Sequence, residues 1–337
     1  MDEDYFKEIL CRWETIPFEQ LEEECLRLRS KLDDLNGLQR SSEGFIGDIN
    51  AWRLLNKDEE KFPASVLGDG NCLLRSGSVF AFGDEEQPCE MRVRIIIEIC
   101  LHKDLYLDND FLNEGLVHLS TQGTSLKPEF AKISPCFTHG DVLTDAVIER
   151  IFENEVQLVT KDKQEMGVWQ LFALASVLKV PIISIYPRGV RKDLLNRPIK
   201  PKSMREDAPI LSIMWTSTRE DMHTQYWIPN HFVPVLQMMK HDVVLLKMQD
   251  HSMVGNWVAV KYDGKIYPGQ VVKMLDNNIE VNAMQDVGVN KFKWPVRPDQ
   301  IWYNPNDVLC IIAPPTPINR RSRYLQICPR EWDELND

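Results

Sequence analysis

The sequence predicts an α+β (α/β) domain with a helical segment before it and a small all-β module after it. Three observations predict this class. Leu21, Cys25, Leu28, Leu32 and Leu35 recur at helical spacing. Between residues 60 and 240, apolar helical runs alternate with short strand-like runs. After about residue 250 the texture changes to short β-rich runs separated by turns. A length of 337 residues suits two or three domains, and 43% hydrophobic with 27% charged residues is ordinary globular composition. The expected divisions are a helical segment at 1–60, the α+β domain at 61–245, the all-β module at 252–313 and a Pro/Arg-containing tail at 314–337.

The first 60 residues are expected to be helical, with Gly37 as a stop. They carry sixteen acidic and eight basic side chains, so eight of the twelve excess negative charges lie there. A solvated helical face accounts for them; an acidic segment that recruits a partner is the sharper alternative. A short apolar approach at Val66-Leu67 then enters the loop Gly68-Asp69-Gly70-Asn71, and a helix is expected to begin near Cys72. Met91, Val93, Ile96, Ile97 and Leu101 predict a long helix over Pro88–Leu107, and Val142, Leu143, Ala146, Val147 and Phe152 predict another from Asp141. Met166–Leu178 reads as a buried helix. It leads directly into a strand over Val180–Tyr186, with further strands at Ile210–Trp215 and Phe232–Leu236. Seven Lys and Arg between 188 and 205 lie in a Pro-containing segment, read as a solvated loop or a docking surface for an acidic or polar partner.

In the last third, Trp257–Tyr262 closed by Asp263-Gly264 signals a hairpin. Lys265–Met274, interrupted by Pro268-Gly269, follows, then Ile279–Met284, Lys291–Trp294 and Val308–Ile312. Five short strands in this span suggest a small SH3- or Tudor-like barrel. Six basic and six acidic residues over 252–313 leave it without electrostatic pull on nucleic acid, and the overall charge of −12 points the same way. A protein or peptide is the expected ligand of this module.

The N-terminus MDEDYFKEIL lacks the basic and apolar regions of a secretory signal, and no run reaches the roughly 18 apolar residues of a spanning helix. No membrane association is expected. Eight irregularly spaced cysteines then read as reduced thiols in the cytoplasm, the nucleus or both. Cys100-x-His102 and Cys136-x-x-His139 could supply four metal ligands, but neither has the CxxC knuckle of structural zinc. No metal or cofactor is expected.

A cysteine becomes a nucleophile when it is exposed, at a helix N-terminus and near a histidine. Cys72 meets the first two conditions on this reading. The glycines before it permit a tight turn, and free N–H groups at the helix start can hold an oxyanion. A partner must come from seven histidines at 102, 118, 139, 223, 231, 241 and 251. His231, in Trp227-Ile228-Pro229-Asn230-His231-Phe232, stands at a strand entrance, where a rigid element can aim its ring. Position alone does not exclude the others.

The stretch Gly68-Asp69-Gly70-Asn71-Cys72-Leu73-Leu74-Arg75 resembles the nucleophile motif of the ovarian-tumour (OTU) cysteine proteases. Asn230-His231-Phe232-Val233-Pro234-Val235 resembles the histidine strand of that family, and Gly167-Val168-Trp169 with its helix and strand is similar to the segment between them. Leu101–Leu107, Trp169–Leu178, Ser184–Pro187 and Ile213–Trp215 look more specifically like the OTU-like region of vertnin-type proteins, which are associated with nuclear regulation rather than proteolysis. The all-β module resembles modules found beside OTU domains, on Lys291–Pro295 and Ile301-Trp302-Tyr303.

The resemblance implies an OTU-like fold and a cysteine-dependent deubiquitinase, with ubiquitin or a ubiquitin-like protein as partner. Cys72 would be the nucleophile and His231 the general base. It also implies a third residue two positions after the histidine, where this chain has Val233, which cannot hydrogen-bond an imidazole. Asp69 and Asn230 are the candidates to orient the ring, Asp69 preferred. The alternative is a weak or inactive OTU-like protein that binds ubiquitin or acts as a vertnin-like nuclear regulator.

Overall fold

The computed structural model describes residues 2–35, 38–58, 60–114, 125–218, 228–275, 278–319 and 322–336. Gly37, His118, His223 and Trp227 lie outside the described residues. The chain divides into two compact units, one formed by 1–40 with 63–236 and the other by 41–62 with 237–337. Elements are numbered along the chain.

The first unit begins with α1 (Glu3–Trp13) and α2 (Phe18–Arg29). Asp2 caps α1 by accepting from the Tyr5 N–H, and Phe6, Ile9, Leu10 and Trp13 give the helix a buried stripe. The nucleophile loop leads into α4 (Cys72–Phe82), which stops at Gly83 in the left-handed conformation, φ +85°. Pro88, pre-set for a first helical turn, opens α5 (Pro88–Leu101). The expected long helix breaks at His102, and α6 (Lys103–Tyr106) and α7 (Asn109–Asn113) continue as short pieces. Next come α8 (Leu126–Ile133), α9 (Asp145–Leu158), capped by Thr144, and α10 (Val168–Leu178). At the start of α10, Gln170 Oε1 accepts from the Gly167 N–H at 2.8 Å. Gly77 lets α4 approach its neighbours closely: a methyl there would meet Leu174 and Met91 at 2.9 Å.

The sheet has the order β1-β5-β4-β2-β3, with β1 at Lys61–Pro63, β2 at Ile182–Ile185, β3 at Arg197–Ile199, β4 at Leu211–Thr216 and β5 at His231–Gln237. Strands β2 and β4 run parallel, and β4 and β5 antiparallel with Thr216 opposite His231 and Met214 opposite Val233. Helices with a mixed sheet make this a mixed α/β fold, as the alternation of patterns predicts.

The basic segment 188–205 differs from a solvated loop. It holds the short helix α11 (Lys192–Leu195) as well as β3. Lys200 pairs with Glu114 at 2.7 Å, Lys202 with Glu98 at 3.0 Å, and Arg205 donates to the Leu178 and Leu35 carbonyls. Arg197 is buried over the Phe172 ring and donates to the Leu112 carbonyl. These cations serve the fold.

The second unit contains α3 (Ile49–Leu54), α12 (Lys240–Gln249) and the β-rich remainder. Strands β6 (Trp257–Tyr262), β7 (Lys265–Leu275), β8 (Asn278–Ala283), β11 (Asp299–Tyr303) and β12 (Val308–Ile311) form a sheet in the order β11-β8-β7-β6-β12. Asp263 and Gly264 both take positive φ, the geometry of a tight hairpin turn. Strand β7 runs unbroken through Pro268, whose carbonyl still accepts from the Met284 N–H at 2.9 Å. A second sheet joins β9 (Gln285–Gly288), β10 (Lys291–Lys293), β13 (Thr316–Pro317) and β14 (Leu325–Gln326) in the order β13-β14-β10-β9.

Among the described residues the ladders do not close on themselves, so the all-β character holds while a closed barrel does not appear. The reason is visible in β6. Val258 and Val260 feed one core with Val244 and Met248 of α12, whereas Trp257 and Ala259 feed another with Phe292 and Ile327. A strand buried on both faces belongs to a layered stack. The segment after 313 is likewise more than a tail: it supplies β13, β14, buried Ile327 and the helix α13 (Pro329–Asn336), whose Trp332 ring meets Phe292.

Candidate active site

Cys72 opens α4, and Asn71 before it makes no side-chain cap to the helix. The loop is set by Gly70, at φ +89°, where an added methyl would lie 1.9 Å from the Lys163 carbonyl oxygen. Only a residue without a side chain fits that approach. Asp69 fixes the next corner. Its carboxylate accepts from the Asn71 N–H at 3.0 Å, Asn71 Nδ2 at 3.3 Å, Arg75 Nε at 3.3 Å and Arg75 Nη2 at 2.8 Å. Although burial opposes it, the bond to Arg75 and the others hold the Asp69 carboxyl down to about 2. Four donors fill the roughly four lone-pair sites of a carboxylate.

Arg92 supports the loop from α5. It is fully buried, donates to Asn71 Oδ1 and the Val159 carbonyl at 2.6 Å each, and reaches the Gln164 carbonyl at 3.0 Å. Burial lowers its pKa to about 10, so it remains a cation at neutral pH. Asn71 Nδ2 also reaches Asp162 at 3.3 Å. The loop is therefore tied to α4, to α5 and to the turn after α9.

His231 starts β5. The next residue's backbone N–H, that of Phe232, donates to Cys72 Sγ at 3.4 Å, so the histidine strand and the thiol touch. The imidazole lies beside the nucleophile loop, because a methyl on Gly68 would be 3.6 Å from both Nδ1 and Cε1 of the ring. Cys72 is only 5% exposed and His231 3%. Burial pushes the Cys72 thiol up to about 11 against the pull of the Phe232, Leu73 and Cys72 N–H groups. At pH 7 a thiol with that pKa is ionised to about one part in ten thousand. The expectation of an exposed cysteine is corrected: the thiol is covered and stays protonated at neutral pH.

Asn230 bonds elsewhere. Its Oδ1 accepts from the Thr218 N–H and its Nδ2 donates to Thr218 Oγ1, each at 3.1 Å. Val233 is fully buried and apolar. So Cys72 and His231 come together, Asp69 stands in the same loop on Arg75 and Asn71, and Asn230 holds the turn before the histidine. Among the described residues no group of three or more His, Cys, Asp or Glu could hold a metal ion, and no helix is long and apolar enough to cross a membrane.

Four supporting residues escaped the sequence reading. Arg92 had one available signal, a guanidinium between Met91 and Val93 on an apolar helix. Asp162 and Lys163, in a polar turn far along the chain, had none. Glu155 is buried beneath Gly167, 3.2 Å from where a methyl would sit, and burial pushes its carboxyl up to about 7.

Residues 63–216 match the family model described as Vertnin, OTU domain. Vertnin of Ailuropoda melanoleuca is 33% identical over 172 residues, covering 50% of this chain and 23% of that protein. Vertnin of Homo sapiens is 29% identical over 180 residues, covering 52% and 24%. The chain thus spans about a quarter of the length of the curated relatives it matches. Among solved structures, the OTU domain of OTUD1 gives a TM-score of 0.31 at 18% identity, covering 56% of this chain and 93% of that one. The viral OTU domain protease from Farallon virus gives 0.30 at 15%, covering 53% and 85%. Neither solved structure is close enough to place a site residue. Residues 63–216 are an OTU/vertnin-like region that holds Asp69 and Cys72 and ends at Thr216, short of Asn230 and His231.

Proposed function

We propose that this OTU/vertnin-like chain is a cysteine-dependent deubiquitinase acting on the C-terminal glycine of ubiquitin or a ubiquitin-like protein. The observation that carries the reading is the contact between the Cys72 thiol and the backbone beside His231, 3.4 Å from Sγ to the Phe232 nitrogen. An OTU domain is related in fold to deubiquitinases, and the Cys72 thiol of that region lies against the backbone of the strand that His231 opens just beyond it.

In the proposed reaction, His231 takes the thiol proton as Cys72 Sγ attacks the glycine carbonyl carbon. The N–H groups at the start of α4 stabilise the resulting oxyanion. On collapse the C–N bond breaks, the imidazolium gives its proton to the leaving lysine amine, and a thioester remains. Water, deprotonated by His231, then attacks the thioester, releasing the carboxylate and the thiol. Asp69 and Arg92 act on the shape of the loop, and no metal takes part.

A second reading is binding of ubiquitin without cleavage, or a vertnin-like regulatory role. The covered thiol, with its pKa near 11, and the apolar Val233 favour it. A ubiquitin probe with a C-terminal electrophile separates the two. We expect an adduct on wild type that peptide mass mapping locates at Cys72 and that Cys72→Ala lacks. A wild type that binds ubiquitin yet forms no adduct with it or with common ubiquitin-like probes would leave the binding reading. The β-rich unit is proposed to take a protein or peptide ligand, and an SH3- or Tudor-like relationship stays part of that proposal.

A further inference from the structure

The β-rich unit carries a cleft of about 650 Å³, apart from the chemistry proposed for Cys72. Asp299, Ile301 and Tyr303 of β11 line it together, because every second residue of a strand faces the same side. Tyr262 and Tyr267, from the hairpin of β6 and β7, bring the phenol rings of the lining to three. Strand β11 ends its sheet and pairs only with β8, so among the described residues its outer edge has no strand on it.

Tyr303 is the unusual member. It is 4% exposed, yet among the described residues its hydroxyl makes no hydrogen bond. A covered phenol ordinarily finds a partner, and this one borders a cleft. Burial, then the nearby Asp299 carboxylate and the Tyr262 and Tyr267 phenols, push its pKa up to about 12. It is therefore a neutral hydroxyl at pH 7, set beside a negative charge. Asp299 makes no ion pair among the described residues, whereas Asp286, the other lining carboxylate, is taken by Lys265 at 3.3 Å. Arg297 is exposed at the cleft and pairs with neither, so Asp299 stays available. No group of acids or histidines among the described residues could hold a metal ion. An organic cation is the ligand that this lining fits.

We infer that this cleft binds the arginine side chain of an extended peptide that pairs with the open edge of β11. This deepens, and rests on, the proposal that the β-rich unit takes a protein or peptide ligand. A guanidinium is planar and weakly hydrated, stacks on aromatic faces, and donates in a fork that a carboxylate accepts. In the proposed complex Asp299 accepts that fork, the Tyr262 and Tyr267 rings cover its faces, and the Tyr303 oxygen accepts one further N–H. A lysine ammonium, a compact and strongly hydrated charge, uses the rings and the fork less well. Pairing to β11 adds main-chain hydrogen bonds. The period of two then carries alternate peptide side chains over the face of Asp299, Ile301 and Tyr303.

The test titrates the full chain into a short, fluorescently labelled peptide of alternating Ser and Val with Arg at its centre, read by anisotropy. A matched peptide carries citrulline, which keeps the shape and lacks the charge. The arginine peptide is expected to bind at least about tenfold more tightly than the citrulline one. Its affinity should fall about tenfold in Tyr303→Phe and in Asp299→Asn, with thermal midpoints held, since neither polar group bonds within the fold. Tyr262 is 54% exposed, so Tyr262→Leu spares the core and should still cost several-fold. Equal affinity for the two peptides overturns the arginine assignment while leaving the unit a peptide binder. Wild-type affinity in all three variants, or no binding of the arginine peptide, overturns it as well. Failure of every member of a random-sequence peptide pool to bind would instead overturn the peptide reading on which it rests.

Discussion

The two halves of the candidate site are built to different standards. Around Cys72, the loop is bound from three directions: Gly70 against Lys163, Asp69 onto Arg75, and Asn71 onto Arg92. Around His231, the strand position that would orient the ring is Val233, and the facing Thr216 hydroxyl is unbonded. The nucleophile is held firmly and also buried, which keeps it protonated. His231, the proposed base that would relieve that protonation, comes from a separate strand, β5. If the proposed reaction takes place, its rate is expected to be limited by proton transfer from Cys72 rather than by placing the thiol.

The largest effect should come from breaking the firm half. Gly70→Ala would put a methyl 1.9 Å from the Lys163 carbonyl at a left-handed φ, so the loop must move. We expect probe labelling to be lost and stability to fall by on the order of 3 kcal/mol, read by thermal or denaturant unfolding. Gly68→Ala meets only the Thr218 methyl at 3.0 Å and should cost far less. Equal tolerance of both substitutions would show that the loop is not fixed as described.

Next is the pH dependence of the covered thiol. Because burial raises the Cys72 pKa to about 11, the thiolate fraction grows about tenfold per pH unit from 7 to 10. Alkylation of Cys72 by a small neutral reagent should follow that slope, measured by mass spectrometry on the Cys72 peptide. A rate that levels off near pH 7 would mean that His231 already holds the proton in the resting protein, and the contrast between the halves would be smaller.

The smallest expected change adds a polar group to the histidine strand. Val233→Asn places an amide two residues after His231 at a cost of about 1–3 kcal/mol for burying a polar group. Probe labelling should nevertheless rise several-fold, by roughly the worth of one hydrogen bond. Labelling that falls in step with stability would mean that position 233 offers the ring no useful bond.

Much of this site could be read from sequence because its chemistry is local. Cys72 sits in eight consecutive motif residues, and His231 opens a strand whose apolar run is plain. The acidic N-terminal helices and the Asp263-Gly264 hairpin were equally open to reading. The supports were not, because they act over distance. Arg92 bonds to Asn71, Val159 and Gln164 at separations of 21, 67 and 72 residues, which no periodicity records. Exposure misled for the same reason: that β5 would lie over Cys72 is a tertiary fact. In the β-rich unit, alternation located five strands, but β9 and the short β13 and β14 carry too few apolar positions to stand out, and β11, whose apolar residues 301–303 are consecutive, shows no alternation. Thr216 was missed by one residue, since the predicted strand ended at Trp215, where the apolar run stops.

The central claim, a thiol served by His231, is tested most directly by hydrolysis of a fluorogenic ubiquitin C-terminal amide by wild type and His231→Ala. The account predicts slow turnover by wild type, lost by at least about a hundredfold in His231→Ala while ubiquitin binding is retained. Turnover that survives in His231→Ala, or is absent from wild type, would contradict it.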